Sequence, residues 1–432
     1  MKNRKTTFLV AIVVVFIGNA VIAQKLSVDG ICRPRVEYRD LISMPTFNPI
    51  TDASHRLRLN INYSNDSTRL KTRFVLQDAR VWGNNDQKAN SDYNSFSVFE
   101  GWGQYYFTPK LLIKVGRQEL SYDNEMIFTK ADLHQQGRSH DMGMLKYEGP
   151  VEVTVGAAVN NDTRLLQMFK VPYQRNNYKN LQFVRFEKKG KRFIGSIMAL
   201  NSGLEYYDNT KTDTIQVNYY QELGVYGKYF ITKRLFTVNS FYYQMGKDQY
   251  NLDLSAYSLN LQMSYVVKPK SLIATAAFDV YSGNTSDTKA NENNSFSLPF
   301  GSLILNCGLP GMYTLTGADG KIAYHKGLVQ PRVNITLMAG KLTLLNKVFI
   351  PFSYGELYDN SGVEVSKSLG IEDELYLFYN LSKEVTFNAI IGYFLMSNSM
   401  DFNPHSALGN FTYYDRNPLW ILAGFTFTPK FL

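Results

Sequence analysis

The stretch VEVTVGAAVN at residues 151–160 alternates apolar residues with polar or small ones. The same period of two recurs in YSLNLQMSY at 257–265 and in ILAGFTFT at 421–428. Successive side chains of a β-strand point to opposite faces, so this pattern predicts strands with one apolar and one polar face. Segments of this kind recur along the whole chain, and the sequence therefore predicts an all-β protein.

Residues 1–23 have the features of a secretory signal. Lys2, Arg4 and Lys5 precede an apolar run at 8–17, and Val-Ile-Ala at 21–23 forms a small-residue cleavage site. We expect the mature chain to begin at about Gln24, as one domain spanning 24–432. No later apolar run is long enough for a membrane helix. A secreted chain of this kind is either a large soluble β-protein or an outer-membrane barrel.

The lengths of the connections between strands distinguish these two possibilities. Eight short connections fall at 64–67, 108–110, 148–150, 188–190, 232–234, 268–270, 339–341 and 382–384. Nine longer polar stretches lie near 40–54, 83–96, 118–138, 160–180, 202–216, 246–251, 283–326, 356–367 and 397–417. Regular alternation is typical of a transmembrane up-and-down barrel with short periplasmic turns and long external loops. These connections predict an antiparallel β-barrel of about 18 strands, with both termini on the periplasmic side.

Bulk composition agrees with a membrane barrel. Aromatic residues make up 14% of the chain, with 30 Tyr and 28 Phe, and suit two membrane interfaces. An aromatic-rich soluble sandwich is the alternative. The formal charge is +9, and three of these positive charges leave with the signal. Cys32 and Cys307 are too few for a disulfide scaffold. Pro34 and Pro331 each remove a ladder donor, so we expect them at strand ends or bulges.

Charged residues share the polar face of the first three predicted strands. Arg33 and Arg35 lie on one face of the first strand, Arg56 and Arg58 on one face of the second. A charge that faces lipid at mid-depth costs about 2–4 kcal/mol, so these faces should line the lumen. The predicted pore-lining residues are Arg33, Arg35, Glu37, Arg56, Arg58, Arg73, Glu100, Arg332, Glu372 and Glu374. They form either a basic ladder that selects anionic or polyhydroxylated solutes, or Arg–Glu pairs that only pack the interior.

Three stretches carry a family resemblance. They are GRQELSYDNE at 116–125 with QGRSHD at 136–141 and LKY at 145–147, YSGN at 281–284, and LGIEDEL at 369–375 with Gly392-Tyr393. Together they resemble the alginate-export family of outer-membrane porins, strongest over 100–147 and 369–432. The resemblance implies an eighteen-stranded barrel that either exports alginate or serves as a general nutrient or polysaccharide porin. Met126, Leu133, His134 and Glu374 depart from the family pattern.

The same stretches lie at the external ends of the predicted strands. We expect an external rim or constriction formed by Arg117, Gln118, Glu119, Arg138 and Asp141. Strand parity would turn Arg117 toward lipid, which predicts a bulge or strand end at Gly116. The loops 118–138 and 283–326 are expected to fold inward as a constriction or lid.

The expected function is transport without catalysis. The five histidines are scattered, and His134 and His140 with Asp132 and Asp141 have weak spacing for a metal site. We therefore expect no enzyme activity, cofactor, metal or nucleic acid. The first strand begins too close to Gln24 for the plug domain of an energised transporter. The expected partners are outer-membrane lipids and a small anionic or sugar-like solute, or a polysaccharide. A structural or adhesive barrel that transports nothing is the alternative.

Overall fold

A computed structural model describes residues 24–40, 49–83, 96–160, 178–207, 215–298, 300–302, 307–308, 326–359, 361–399 and 417–432. The predicted signal at 1–23 and parts of seven long loops lie outside the described residues. Within these ranges, no helix is long and apolar enough to cross a membrane. The described chain is built almost entirely of β-strands.

Eighteen long strands form the wall. They are β1 Gln24–Asp40, β2 Ile50–Asn65, β3 Leu70–Val81, β4 Phe96–Tyr106, β5 Leu111–Gln118, β6 His140–Glu148, β7 Glu152–Val159, β8 Asn180–Lys189, β9 Phe193–Tyr207, β10 Ile215–Phe230, β11 Leu235–Lys247, β12 Asp253–Lys268, β13 Leu272–Tyr281, β14 Leu328–Ala339, β15 Leu342–Phe349, β16 Gly370–Asn380, β17 Val385–Met396 and β18 Leu419–Phe427. Each pairs antiparallel with its neighbours in sequence. Two-residue strands at Glu292–Asn293 and Phe352–Ser353 extend the same sheet.

The first and last strands close the sheet into a barrel. β1 pairs antiparallel with β18, from Cys32 opposite Phe427 to Asp40 opposite Leu419. Beyond β18, the carbonyl of Leu432 accepts a hydrogen bond from the backbone N–H of Val28. Closure leaves the wall without an edge, which satisfies backbone groups that lipid cannot. The predicted barrel of eighteen strands is confirmed.

The connections at the two ends of the barrel differ in length, as predicted. At one end the strands are joined by turns of two to four residues, for example 107–110 and 231–234. Threonine stabilises two of these turns: the side-chain oxygens of Thr108 and Thr232 each accept hydrogen bonds from two following backbone N–H groups. At the other end the connections are long, and this end is called the long-loop end below.

Side chains alternate between the two surfaces of the wall. On β7, Val155 is 48% exposed on the outer face, whereas its neighbour Thr154 is 1% exposed on the inner face. Exposed aromatic side chains ring the outer surface beside the short turns, as at a membrane interface. They include Tyr105, Phe107, Tyr147, Phe193, Tyr229, Tyr265, Tyr379 and Phe427.

The two prolines occupy interruptions in the strand pairing. Pro34 lies inside β1, where no pairing with β18 is made between Cys32 and Arg35. Pro331 lies inside β14, between its pairing with β15 and its pairing with the short strand Phe352–Ser353. Neither proline is at a strand end, but each places its missing N–H where one neighbouring ladder is already broken.

The two faces of β12 give a test of the membrane orientation. Leu261 is 42% exposed on the outer face near mid-strand, and the adjacent Gln262 lines an inner cavity of about 190 Å³. Leu261→Arg should lower the free energy of unfolding in lipid by about 2–4 kcal/mol, whereas Gln262→Arg should change it little. Urea titration of the barrel in vesicles measures both. Equal destabilisation would contradict the face assignment.

Candidate functional site

The long connection between β5 and β6 folds into the barrel and crosses its lumen. Residues 119–139, called the crossing loop here, bond to β1 and β2 on one side of the wall. They also bond to β8, β9 and β11 on another side. The crossing loop therefore divides the interior of the barrel, as predicted for the loop at 118–138.

Arginines of β1 and β2 hold one end of the crossing loop. Arg33 donates to Gln135 Oε1 at 3.0 Å and to the carbonyl of Asp132 at 2.7 Å. Arg56, which is 1% exposed, donates to Asp132 Oδ1 at 2.7 Å and to the carbonyls of His134 and Gln135. Backbone carbonyls in a loop have no ladder partners, so the guanidinium groups satisfy them.

Two more arginines extend this contact. Arg35 donates to the carbonyl of Leu133, and Arg58 donates to the carbonyl of Gln136 at 3.3 Å. The Arg58 guanidinium also lies 3.5 Å from the centre of the Phe99 ring. The loop passes very close here, and a Cβ on Gly137 would lie 2.6 Å from the Arg58 side chain. Gly137 also has a positive φ of 67°, which favours glycine.

The other end of the crossing loop is fixed by side chains that sequence reasoning missed. Asp123 accepts hydrogen bonds from Arg185 of β8 at 2.6 Å and from Ser196 of β9 at 2.8 Å. Asn124 donates to Ser240 of β11 at 2.9 Å. The inward parity of Arg185 on β8 was a usable signal, but nothing in the sequence pairs it with Asp123.

Apolar side chains fill the space beneath the middle of the crossing loop. Phe128 is completely buried and packs against Phe183 of β8 and Phe300 of the loop after β13. The backbone N–H of Thr129 donates to the carbonyl of Phe300 at 3.0 Å. The described part of the predicted 283–326 loop thus also folds inward, and residues 299, 303–306 and 309–325 lie outside the described residues.

Several residues expected to line the pore face inward but form ion pairs. Arg73 pairs with Glu100 at 2.6 Å, and Arg35 pairs with Glu37 at 2.6 Å. Arg332 pairs with Asp279 of β13 at 2.7 Å. These contacts agree with the packing interpretation of the charged face.

The two predicted acidic residues of β16 are fully buried. Glu374 accepts a hydrogen bond from Tyr376 at 2.9 Å and lies 3.3 Å from the Lys347 ammonium group. Glu372 lies against the backbone of Gly308, where a Cβ would come within 2.5 Å of its carboxylate. Both carboxylates therefore contact protein and have no solvent-exposed surface.

The predicted rim residues lie at the long-loop end, but not on one surface. Arg117 pairs with Asp141 at 2.7 Å on the outer face. Gln118 is completely buried, and the backbone N–H of Glu119 donates to Glu100 Oε1 at 3.3 Å.

The expected bulge or strand end at Gly116 is wrong. Pairing stays in register through Gly116, and the strand ends at Gln118. Gly116 instead has a positive φ of 127°, and a Cβ there would lie 2.2 Å from the carbonyl oxygen of Gly101. The chain can place Arg117 outward because its guanidinium lies at the strand end, paired with Asp141.

Burial and the arginine cluster change ionisation in the crossing loop. Burial and the positive charges of Arg138 and Arg35 lower the pKa of His134 from 6.5 to about 4. Burial opposes ionisation of Asp132, but the Arg56 hydrogen bond and nearby charges hold its pKa below 3.8. Burial and Glu100 raise the pKa of Glu119. The described residues contain no cluster of His, Cys, Asp and Glu suited to a metal ion.

Comparison with solved structures places this architecture among known barrels. The outer membrane protein OpdK from Pseudomonas aeruginosa matches with a TM-score of 0.63 and 7% identity, over 94% of this chain and 99% of that chain. The fold is that of an outer-membrane porin. OccAB4 from Acinetobacter baumannii has a TM-score of 0.61 and 12% identity, covering 96% and 100% of the two chains. A BenF-like porin from Pseudomonas fluorescens Pf-5 matches with a TM-score of 0.61 and 11% identity, over 94% of this chain and 99% of that chain.

Sequence comparison does not assign the chain to a family. No family model matches the chain, and no curated protein matches it. The resemblance to the alginate-export family is therefore not supported. The quoted motifs are short segments at strand ends and in the crossing loop.

Arg56 provides a test of the attachment of the crossing loop. Arg56→Gln removes donors to Asp132 and to two carbonyls, and each charge-assisted hydrogen bond contributes about 1.5–3 kcal/mol. We expect a larger and noisier single-channel conductance, with the barrel still heat-modifiable because its ladder does not use this side chain. Arg80→Gln is the control, since Arg80 is held by Asp78 away from the loop. Unchanged conductance in Arg56→Gln would contradict the attachment.

His134 makes the attachment sensitive to pH. The docked loop keeps its pKa at about 4, whereas a released histidine regains 6.5, so the released state binds more protons between these values. Lowering the pH from 6.5 to 4 should therefore favour release and raise the conductance. His134→Gln should flatten this part of the pH profile. An identical profile in the variant would rule out His134 as the titrating group.

Proposed function

We propose that this protein is an outer-membrane porin that passes small organic anions. The observation that carries the proposal is the crossing loop, which bonds to both sides of the wall and borders two polar cavities of about 190 and 420 Å³. A passage narrowed in this way suits small solutes and disfavours a polymer. The polysaccharide interpretation is not kept.

The sign of the lumen charge favours anions. Lys71, Lys114 and Lys228 face inward, and each lies over an aromatic ring, with no carboxylate at ion-pair distance among the described residues. By contrast, inward carboxylates such as Glu100 and Asp279 are paired with arginines. These three lysines thus place positive charge on the inner face that no described carboxylate neutralises in an ion pair, and a confined charge acts more strongly on a permeating ion than a surface charge.

The structural matches add support of a weaker kind. OpdK from Pseudomonas aeruginosa has also been solved with vanillate, an aromatic carboxylate, at 9% identity to this chain and a TM-score of 0.60. The outer apolar face and its aromatic girdle suit outer-membrane lipids as the other partner. A structural or adhesive barrel is the competing function, and it predicts no solute flux.

Selectivity in planar bilayers tests the proposal. In a KCl gradient the reversal potential should show anion preference, and replacing Lys71, Lys114 and Lys228 by Gln should shift it toward the nonselective value. The matched control replaces the exposed turn lysines Lys188, Lys268 and Lys270, which removes the same charge outside the lumen. Salt screens those outer charges within about 8 Å.

Two results would overturn the proposal. If both triple variants shift the reversal potential equally, the preference comes from the surface charge of the whole barrel. If the purified, heat-modifiable protein carries no current, the structural or adhesive function is favoured.

A further inference from the structure

A polar cavity of about 420 Å³ lies at the long-loop end, between the crossing loop and the wall. The wall side is formed by the ends of β3, β4 and β5, with Gln77, Phe99 and the Asp141-paired Arg117 among its residues. The loop side is formed by residues 136–139 as the chain returns to β6.

The orientation of Gln77 makes it a hydrogen-bond donor toward this cavity. The side chain is 5% exposed, and its Oε1 accepts a hydrogen bond from Arg58 Nε at 2.7 Å. Since the oxygen is occupied by a guanidinium donor, the amide nitrogen is the end left for other partners. No protein acceptor bonds this nitrogen within the described part of the chain.

Arg138 also has N–H donors that the described protein leaves unused, in contrast to the arginines of β1 and β2. A guanidinium group has five N–H donors, and Arg33 and Arg56 use theirs on the crossing loop. The side chain of Arg138 makes one long contact, from Nη1 to the carbonyl of Gly301 at 3.4 Å. Arg138 has no carboxylate partner among the described residues, whereas Arg117 beside it is paired with Asp141.

The cavity also has an apolar side. One face of the Phe99 ring is covered by the Arg58 guanidinium, and the ring still contributes to the cavity lining together with Ala79. The cavity thus combines amide and guanidinium donors with an apolar surface. An organic carboxylate has the complementary arrangement, with two acceptor oxygens on an apolar body.

We propose that this cavity is an entry binding site for small organic carboxylates, in which Arg138 and Gln77 donate to the carboxylate and Phe99 contacts the apolar body. This rests on the proposed function, because it assigns the solute a first site along the passage. Arg138 is then a specificity-determining residue, and the arginines of β1 and β2 mainly fix the loop that shapes the site.

Benzoate binding to single channels tests the assignment. Benzoate added to wild-type channels should cause transient current blockades whose concentration dependence gives a dissociation constant. Arg138→Gln should raise that constant about tenfold or more, the effect of losing a charge-assisted contact. Gln77→Leu should raise it several-fold, and Arg138→Lys should keep part of the affinity because the charge remains.

Arg80→Gln is the matched control. It removes one positive charge from the same end of the barrel, but its guanidinium is held by Asp78 at 2.6 Å and does not line the cavity. Its benzoate constant should stay within about twofold of wild type. Neutral benzamide should block no variant with comparable affinity, because it lacks the anionic oxygens.

The outcomes separate the site from the function. If Arg138→Gln and Gln77→Leu bind benzoate like wild type in channels that still prefer anions, the site is wrong and the porin function stands. If wild type carries no current, equilibrium dialysis of labelled benzoate against the detergent-purified barrel decides the site alone. If Arg138→Gln loses heat-modifiability, Arg138→Lys and Gln77→Leu supply the comparison.

Discussion

The whole architecture depends on the requirement that backbone polar groups find partners inside the protein. In a membrane the wall can meet it only by closing, and the pairing of β1 with β18 does so. Closure fixes strand parity, so one face of every strand meets lipid and the other a confined interior. The crossing loop faces the same requirement without a ladder, and its carbonyls are satisfied by the guanidinium groups of Arg33 and Arg56.

This constraint explains why arginine rather than lysine lies on the inner face of β1 and β2. A loop that runs past a wall presents several carbonyls at different angles within a few ångströms. A planar guanidinium group with five donors can satisfy two or three of them at once, as Arg56 does with Asp132, His134 and Gln135. A lysine offers its three donors from a single nitrogen, and some inward lysines lie over aromatic rings instead, for example Lys114 over Trp102 at 4.0 Å.

The wall could be predicted from the sequence, and the course of the crossing loop could not. Alternation along segments such as 151–160 and regular turn spacing are local signals, and they determine strand number and facing. The loop path depends on pairs far apart in sequence, such as Arg33 with His134, 101 residues away. The alternation of side chains along each strand could show that Arg33 and Glu374 face inward. It could not show whether a solute or the protein itself occupies the space in front of them.

An inward charge can contribute to selectivity only if a solute, and not the protein itself, occupies the space in front of it. An inward arginine attracts a passing anion in proportion to the charge and donors that the protein has not already used. By that measure Arg33 and Arg56 contribute little directly, since loop acceptors occupy their donors and Asp132 offsets part of their charge. Arg138, Lys71 and Lys114 have no carboxylate partner among the described residues and keep theirs. If the protein is the anion porin proposed above, its selectivity is set by the cations that remain after the fold has used the others to hold the crossing loop.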